Sequence, residues 1–236
     1  MGRHPRTLLV RIFNGLVGYS DGLAMQESLH AARRASTVHD TLLVLQHKHV
    51  YTIGKRPNER NILADEDELR ACGAEVHKTR RGGDVTYHGP GQFVMYPVVN
   101  LREAKVGARA YVEGLEDVMI DCARGFGVRA RGRVPGMTGV WAGDKKLGAV
   151  GVQISQGIAS HGLAMNHSLS LEWFDRIVPC GLEGRAVTTL ERECGTRLEH
   201  EAVQASLVEC FARRFGYDDV HARRLDADGW REASIF

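Results

Sequence analysis

One twelve-residue stretch concentrates chemistry: Arg81-Gly82-Gly83-Asp84-Val85-Thr86-Tyr87-His88-Gly89-Pro90-Gly91-Gln92 carries four glycines, an arginine and a histidine just before an apolar run. Glycine lets backbone N–H groups approach a ligand closely and admits positive φ. Pro90, between two glycines, fixes the turn into Gln92-Phe93-Val94-Met95-Tyr96-Pro97. A hairpin kept only for its turn geometry needs the glycines and nothing more. Arg81, Thr86 and His88 add donors suited to a ligand or a reacting carbonyl, so the segment reads as the wall of a pocket. A second centre is Cys180. Of the five cysteines, Cys72, Cys122 and Cys210 fall in helical stretches as small packing residues, and Cys194 follows a charged run as a structural one. Cys180 stands between Pro179 and Gly181, where neither a helix nor a central strand is comfortable. An odd count without a CxxC pair makes neither a disulfide framework nor a familiar zinc site. Lys146, taken alone, reads as a solvated hairpin lysine. His88 reads equally as an orienting or proton-carrying group and as a histidine bonded to a loop carbonyl.

Several segments occur in a telling order: Val50-Tyr51-Thr52-Ile53-Gly54-Lys55-Arg56, the glycine-rich stretch, Lys145-Lys146-Leu147-Gly148-Ala149-Val150-Gly151, Ser160-His161-Gly162-Leu163-Ala164-Met165-Asn166, and Ile177-Val178-Pro179-Cys180-Gly181-Leu182. Together they resemble the lipoyl(octanoyl) transferases, enzymes that begin protein lipoylation by moving an octanoyl group from acyl carrier protein to a lipoyl domain. The resemblance covers roughly residues 40 to 195. Gln46, Lys48 and Gln153 depart from residues common in that family, none at a catalytic position. The resemblance implies that Cys180 is the nucleophile and Lys146 its activator. It implies a substrate-binding set of Arg81, Gly82, Gly83, Asp84, Val85, Thr86, Tyr87 and His88 with Ala149, Val150, Gly151, Gly162, Leu163 and Ala164, supported by His161 and Asn166. The small and apolar members of that set suit a narrow tunnel for an eight-carbon chain and would equally make a sheet core; the resemblance selects the tunnel.

The implied chemistry has two halves. A thiol at neutral pH is mostly protonated and only its thiolate attacks a thioester well, so a neighbouring ammonium, or an amine that takes the proton, is needed. Cys180 would accept the octanoyl group from the phosphopantetheine thiol of octanoyl-acyl carrier protein, and a lysine amine of the lipoyl domain would then attack the new thioester. Backbone N–H groups near Gly82, Gly83 or Cys180 would hold the oxyanion. The acyl group arrives on its carrier, so no bound cofactor, ATP or metal is expected. The implied acceptors are lipoyl domains of 2-oxoacid dehydrogenase complexes and the glycine cleavage H protein. Competing readings are an ATP-dependent lipoate or biotin ligase, a cysteine hydrolase pairing Cys180 with His88 or His161, and a non-catalytic acyl-binding protein. Cys180 within Pro-Cys-Gly weighs against the ligase.

The elements that must position these residues are those of an ordinary globular chain of 236 residues, 43% hydrophobic and 25% charged. A net charge of +2 gives no polyelectrolyte signal for nucleic acid. Leu8-Leu9-Val10 breaks at Arg11, too short for a signal peptide or a membrane span, so no membrane partner and a cytoplasmic location are expected. Strands are expected at Thr7–Phe13, Thr41–Leu45, Val50–Ile53, Phe93–Val99, Val140–Ala142, Lys146–Ser155 and within Gly157–Leu169, with Ala74 to His77 leading into the glycine-rich loop. Tyr96-Pro97 marks the strand at Phe93–Val99 as an edge or a bulge. Helices are expected at Ser20–Ala35, Asp65–Cys72, Ala108–Phe126 and His200–Phe215. This is an α/β (α+β) pattern, a mixed β-sheet flanked by helices, and the resemblance implies the biotin/lipoate protein ligase-like fold. Residues 1–216 read as one catalytic domain and 217–236, charged and weakly patterned, as a poorly ordered tail.

Overall fold

Leu42 and Val44 point into one hydrophobic cluster while Leu43 and Leu45 point into another. Burial on both faces is why this stretch reads as an unbroken apolar run and not as an alternating one. It belongs to the centre of a sheet seen in a computed structural model, which describes residues 5–178, 186–228, 230 and 235. In chain order the elements are β1 (Thr7–Val17), α1 (Tyr19–Arg34), β2 (Asp40–His47), β3 (Val50–Ile53), α2 (Glu66–Ala71), β4 (Glu75–Lys78), β5 (Val85–His88), β6 (Gln92–Asn100), α3 (Ala108–Gly125), β7 (Val140–Ala142), β8 (Lys145–Ser155), β9 (Ile158–Asn166), α4 (Leu190–Cys194), α5 (His200–Phe215) and β10 (Asp219–Asp226).

Among the described residues, seven strands form one mixed sheet in the order β10-β1-β2-β6-β9-β8-β7, and β4-β3-β5 form a smaller one. The larger sheet is parallel across β10, β1 and β2 and antiparallel from there to β7. Helix α3 buries Tyr111, Leu115, Val118, Met119 and Cys122, near-helical spacing that makes one apolar face, and α5 adds Val203, Leu207 and Phe211 over the same side of the sheet. Helix α1 covers part of the other side with Met25 and Leu29. The remainder of that side lies under the small sheet, whose outer face packs Tyr51, Val85 and Tyr87 on Phe174 and Ile177. The mixed sheet flanked by helices is the architecture the sequence implied.

Two expectations are corrected. Strand β6 is not an edge: it lies between β2 and β9. Its ladder to β9 runs from Gln92 to Met95, skips Tyr96–Val98 and resumes at Val99. Pro97 has no N–H to give, and across the gap His161, with φ of 54°, donates its own backbone N–H to Gln26 Oε1 of α1 at 2.7 Å. A side chain from the covering helix thus replaces the missing rung. The tail from Tyr217 is also more than a tail. Asp219–Asp226 is β10, in parallel register with Thr7–Asn14. Its residues are mostly exposed, which hid the strand from a search for apolar alternation. Tyr217 is buried, and its hydroxyl donates to Asp40 Oδ2 at 2.9 Å. Asp40 also accepts from Arg33 Nε at 2.8 Å, Arg6 at 3.0 Å and the Asn100 N–H at 2.9 Å, so one buried carboxylate ties both ends of the described chain to β2 and β6.

Candidate active site

Lys146 is not the solvated hairpin residue that its neighbours suggest. It is 5% exposed, whereas Lys145 takes the outward position and pairs with Glu193 at 3.3 Å. Alternation along β8 decides which of the two lysines is buried. The Lys146 Nζ lies 5.6 Å from the Trp141 ring centroid across the β7–β8 hairpin. Room for its stem comes from Gly139, where a Cβ would stand 3.0 Å from Lys146 Cε and 2.5 Å from the Gly148 carbonyl. Gly139 is in turn held by Glu116 of α3, whose buried carboxylate accepts the N–H groups of Gly139 and Arg133, both at 2.8 Å.

The Lys146 backbone receives the chain that returns from the Cys180 segment: its N–H donates to the Ala186 carbonyl at 2.9 Å and its carbonyl accepts from Thr188 N–H at 2.9 Å. Cys180 itself, with Pro179 and Gly181, lies outside the described residues. The segment is pinned on its other side where Val178 N–H donates to the Asn61 carbonyl at 2.8 Å and Ile62 bridges Ile177.

Strand β5 sorts the glycine-rich segment by alternation. Thr86 and His88 face a cavity, while Val85 and Tyr87 face away into the outer cluster, where the Tyr87 hydroxyl meets His49 Nδ1 at 2.7 Å. Val85 and Tyr87, named with the binding set, are therefore not in the cavity wall. Gly82 is not in the cavity wall either; its N–H donates to the Val152 carbonyl at 2.9 Å and straps the loop across β8. Gly83 and Asp84 line the cavity. Arg81 lines it too, but its guanidinium serves the loop, donating to Thr52 Oγ1 and O and to the carbonyls of Gly82 and Asp84. A Cβ on Gly54 would approach the Gly83 carbonyl to 2.2 Å, so the loop can close over β3 only because position 54 is glycine.

The cavity, narrow at about 40 Å³, lies between the small sheet and the part of the main sheet left open beside α1. Ala149, Val150 and Gly151 of β8 and His161, Gly162, Leu163 and Ala164 of β9 form its floor, as the sequence implied. Tyr19, Val94 and Tyr96 line it as well and were missed. For Val94 and Tyr96 the signal was there in the alternation along β6; for Tyr19 there was none, because its position depends on how α1 docks.

Three buried histidines surround this space. Burial is the largest cause holding His88 down to about 3, with further lowering from His47; burial followed by the Arg81 charge holds His161 to about 4; and burial holds His47 to about 4. All three are neutral at pH 7, which suits an apolar guest. His47 Nδ1–H donates to the Val17 carbonyl at 2.9 Å and its Nε2 faces the Tyr96 hydroxyl at 2.7 Å. His88 Nδ1 faces Gln92 Oε1 at 2.7 Å, an acceptor, so Nδ1 carries the proton and Nε2 the lone pair. Gln92 Nε2 donates to Asn166 Oδ1 at 2.9 Å, and Asn166 Nδ2 donates to the Thr188 carbonyl at 3.0 Å beside Lys146. Asn166 thus supports the site, and Gln92 joins it to His88. The buried donors and acceptors converge on an apolar-floored cavity, and Lys146, bonded through its backbone to Ala186, stands three residues along β8 from Ala149 in the cavity wall. Among the described residues no group of histidine, cysteine, aspartate or glutamate could hold a metal ion, and no helix is long and apolar enough to cross a membrane.

A lipoyl protein ligase A/B catalytic domain is matched over residues 18–212. The sequence is 50% identical over 219 residues to a protein of Arabidopsis thaliana named octanoyltransferase LIP2, mitochondrial, covering 92% of this chain and 93% of that one. It is 43% identical over 213 residues to the octanoyltransferase of Solibacter usitatus, covering 90% and 96%. In three dimensions it resembles the bipartite lipoate protein ligase of Thermoplasma acidophilum, with a TM-score of 0.68, 16% identity and coverage of 95% and 88%. The last likeness speaks for the fold alone.

Proposed function

The chain belongs to the lipoyl protein ligase A/B catalytic-domain family and, within it, to the octanoyltransferases, and we propose that it works through a thioester on Cys180. In the first half-reaction the Cys180 sulfur attacks the thioester carbonyl of octanoyl-acyl carrier protein, and the phosphopantetheine thiol leaves. In the second, a lysine ε-amine of a lipoyl domain attacks the octanoyl-Cys180 thioester and the cysteine thiol is regenerated. Lys146 takes the thiol proton as Cys180 attacks and returns it to the departing thiol. Exchange of one thioester for another is nearly balanced and conversion of a thioester to an amide is downhill, so neither ATP nor a metal is needed.

The observation that carries this reading is the burial of Lys146, bonded through its backbone to Ala186, six positions after Cys180 (186 − 180), and three residues along β8 from Ala149, which with Val150, Leu163 and Ala164 floors the cavity. Neutral His88, with its lone pair on Nε2, steers the incoming amine in this scheme by accepting a hydrogen bond from it, not its proton. Lipoyl domains of 2-oxoacid dehydrogenase complexes and the glycine cleavage H protein are the acceptors in this scheme. The Arabidopsis relative carries a mitochondrial name, so membership of the family does not fix a compartment.

Intact-mass spectrometry tests the scheme. The purified protein is mixed with octanoyl-acyl carrier protein in the absence of ATP, alongside Cys180→Ser and Lys146→Ala, and lipoyl domain is then added. An octanoyl adduct that requires Cys180 and is discharged onto the lipoyl domain is the expected result, with a loss of about 10²–10⁴-fold in rate for Lys146→Ala. Octanoylation that survives both substitutions, or that appears only with octanoate and ATP, refutes it in favour of ligase chemistry.

A further inference from the structure

The acyl cavity has a neighbour built from the same elements. Helix α1 gives Tyr19 to the cavity and then Leu23, Gln26, Glu27 and His30 to an open groove of about 430 Å³. Strand β8 gives Ala149–Gly151 to the cavity and then Gln153 and Ser155 to the groove; the end of β4 and the segment after it give Arg81 to one and Lys78–Arg80 to the other. Cavity and groove are therefore laid end to end, with the Lys146 end of β8 at the far side of the cavity. The residue that faces both spaces is His161.

We propose that His161 is the partition that sets acyl chain length: its ring closes the cavity at about eight carbons and keeps the chain out of the groove beyond. The inference rests on the octanoyl-transfer reading above and adds where its length selectivity resides. From Ala149 to Val152, where the Gly82 strap crosses β8, is three residues, or roughly 10 Å at about 3.3 Å each. An octanoyl chain, seven zigzag carbon–carbon bonds of about 1.5 Å, spans roughly 9 Å. A dodecanoyl chain is about 5 Å longer and would have to pass the imidazole.

The partition is held in place by design of the strand around it. His161 has φ of 54° in the middle of β9, its N–H is taken by buried Gln26, and its ring meets Tyr96 edge-on with centroids 6.0 Å apart. The adjacent Gly162 cannot carry the wall, since a Cβ there would meet the Met95 carbonyl at 2.3 Å and Pro97 Cδ at 2.6 Å. The gap in the β6–β9 ladder at Pro97 is what allows the histidine its left-handed backbone.

The test is a competition between octanoyl- and dodecanoyl-acyl carrier protein for one lipoyl domain, read as the two product masses, with His161→Ala, His161→Asn and the double variant His161→Ala/Gln153→Trp. Calorimetric binding of octanoate and dodecanoate to the same proteins gives a second readout that needs no transfer. The wild type is expected to favour the eight-carbon chain, His161→Ala to raise the twelve- to eight-carbon ratio tenfold or more, and Gln153→Trp, by filling the groove, to take that gain away. His161→Asn, which keeps a polar side chain at the left-handed position, serves if the alanine variant does not fold and should shift the ratio in the same direction. An unchanged ratio in the folded variants overturns the partition. Wild-type protein that binds octanoate but transfers neither chain would instead count against the transferase reading, and the binding ratios would still decide the role of His161.

Discussion

Replacing Gly139 by alanine should disable the site by moving Lys146 without touching it. Gly139 has φ of 122°, a backbone angle that L-residues rarely adopt, and such strain costs about 1–3 kcal/mol. The new methyl would also lie 2.5 Å from the Gly148 carbonyl and 3.0 Å from Lys146 Cε, an overpacking worth a further 1–3 kcal/mol or so. The sum, roughly 2–6 kcal/mol, is a large share of the 5–15 kcal/mol typical of whole proteins. With a urea slope of about 2–3 kcal/mol/M, the midpoint should fall by about 0.7–3 M. Gly143→Ala in the β7–β8 turn is the matched control: its φ is 59°, nothing lies within 4 Å of its Cβ, and it should lose only about 1–2 kcal/mol. Because Gly148 is backbone of a paired strand and Lys146 is a side-chain stem, the lysine should yield first. Octanoyl transfer by the folded fraction of Gly139→Ala should therefore drop well below that of Gly143→Ala. Equal urea midpoints for the two variants, or full transfer activity in Gly139→Ala, would refute this account of how Lys146 is placed.

Three further outcomes are expected. Asp40→Ala leaves the buried Arg33 guanidinium only Glu103 of its two carboxylates, removes the acceptor of Arg6, Tyr217 and the Asn100 N–H, and should cost about 3–5 kcal/mol in denaturant unfolding; a loss below 1 kcal/mol would show that Arg6, Tyr217 and Asn100 do not depend on it. His47, His88 and His161 are held near 4, 3 and 4 in the folded protein against about 6.5 unfolded. The unfolded chain binds more protons below pH 6.5, so their contribution is fully present above that value and is lost as pH falls toward 4, by about 1.4 kcal/mol per pH unit for each group. Urea midpoints measured from pH 7 to pH 4.5 should show this decline, and His88→Gln should flatten it; a midpoint independent of pH would contradict the burial of neutral rings. Tyr87→Phe removes a hydroxyl that points at His49, away from the cavity, and should cost about 1 kcal/mol of stability with octanoate affinity unchanged by calorimetry; a tenfold loss of affinity would put Tyr87 back in the binding site.

Periodicity located most of the elements because apolar pattern and burial coincide in them. Helix α3, with Val112, Leu115, Val118, Met119 and Cys122 near one face, is the clearest case, and the β7–β8 hairpin followed from its Gly143-Asp144 turn. What the sequence could not disclose is where burial depends on distant partners. Strand β10 is nearly all exposed and exists because β1 offers it a parallel edge. Pro97 looked like an edge because a rung is missing, and the substitute rung comes from Gln26, some seventy residues earlier in the chain (97 − 26 = 71). In the site, motif resemblance named a contiguous block from Arg81 to His88, but a strand shows alternate residues to a ligand, so only some of that block reaches the cavity. Glu116, which fixes Gly139, carried no local signal at all; it is one of several acidic residues on a helix, distinguished only by the loop that folds over it.

The pairing of β10 with β1 also constrains when the sheet can be finished. On the ribosome β1 precedes every other described strand, yet its outer partner β10 follows all of them. Until Asp219–Asp226 arrives, one side of β1 is an unpaired row of N–H and C=O groups, the kind of edge on which nascent chains join one another. The contact that closes it spans 212 positions from Thr7 to Asp219 (219 − 7), a loop whose closure is slow relative to the hairpins at β7–β9. Synthesis of this protein should then pass through an interval in which the acyl cavity is already walled while the opposite rim of the sheet stays open. Any early stop after Phe215 would make that interval permanent, trading a working pocket for a sticky edge.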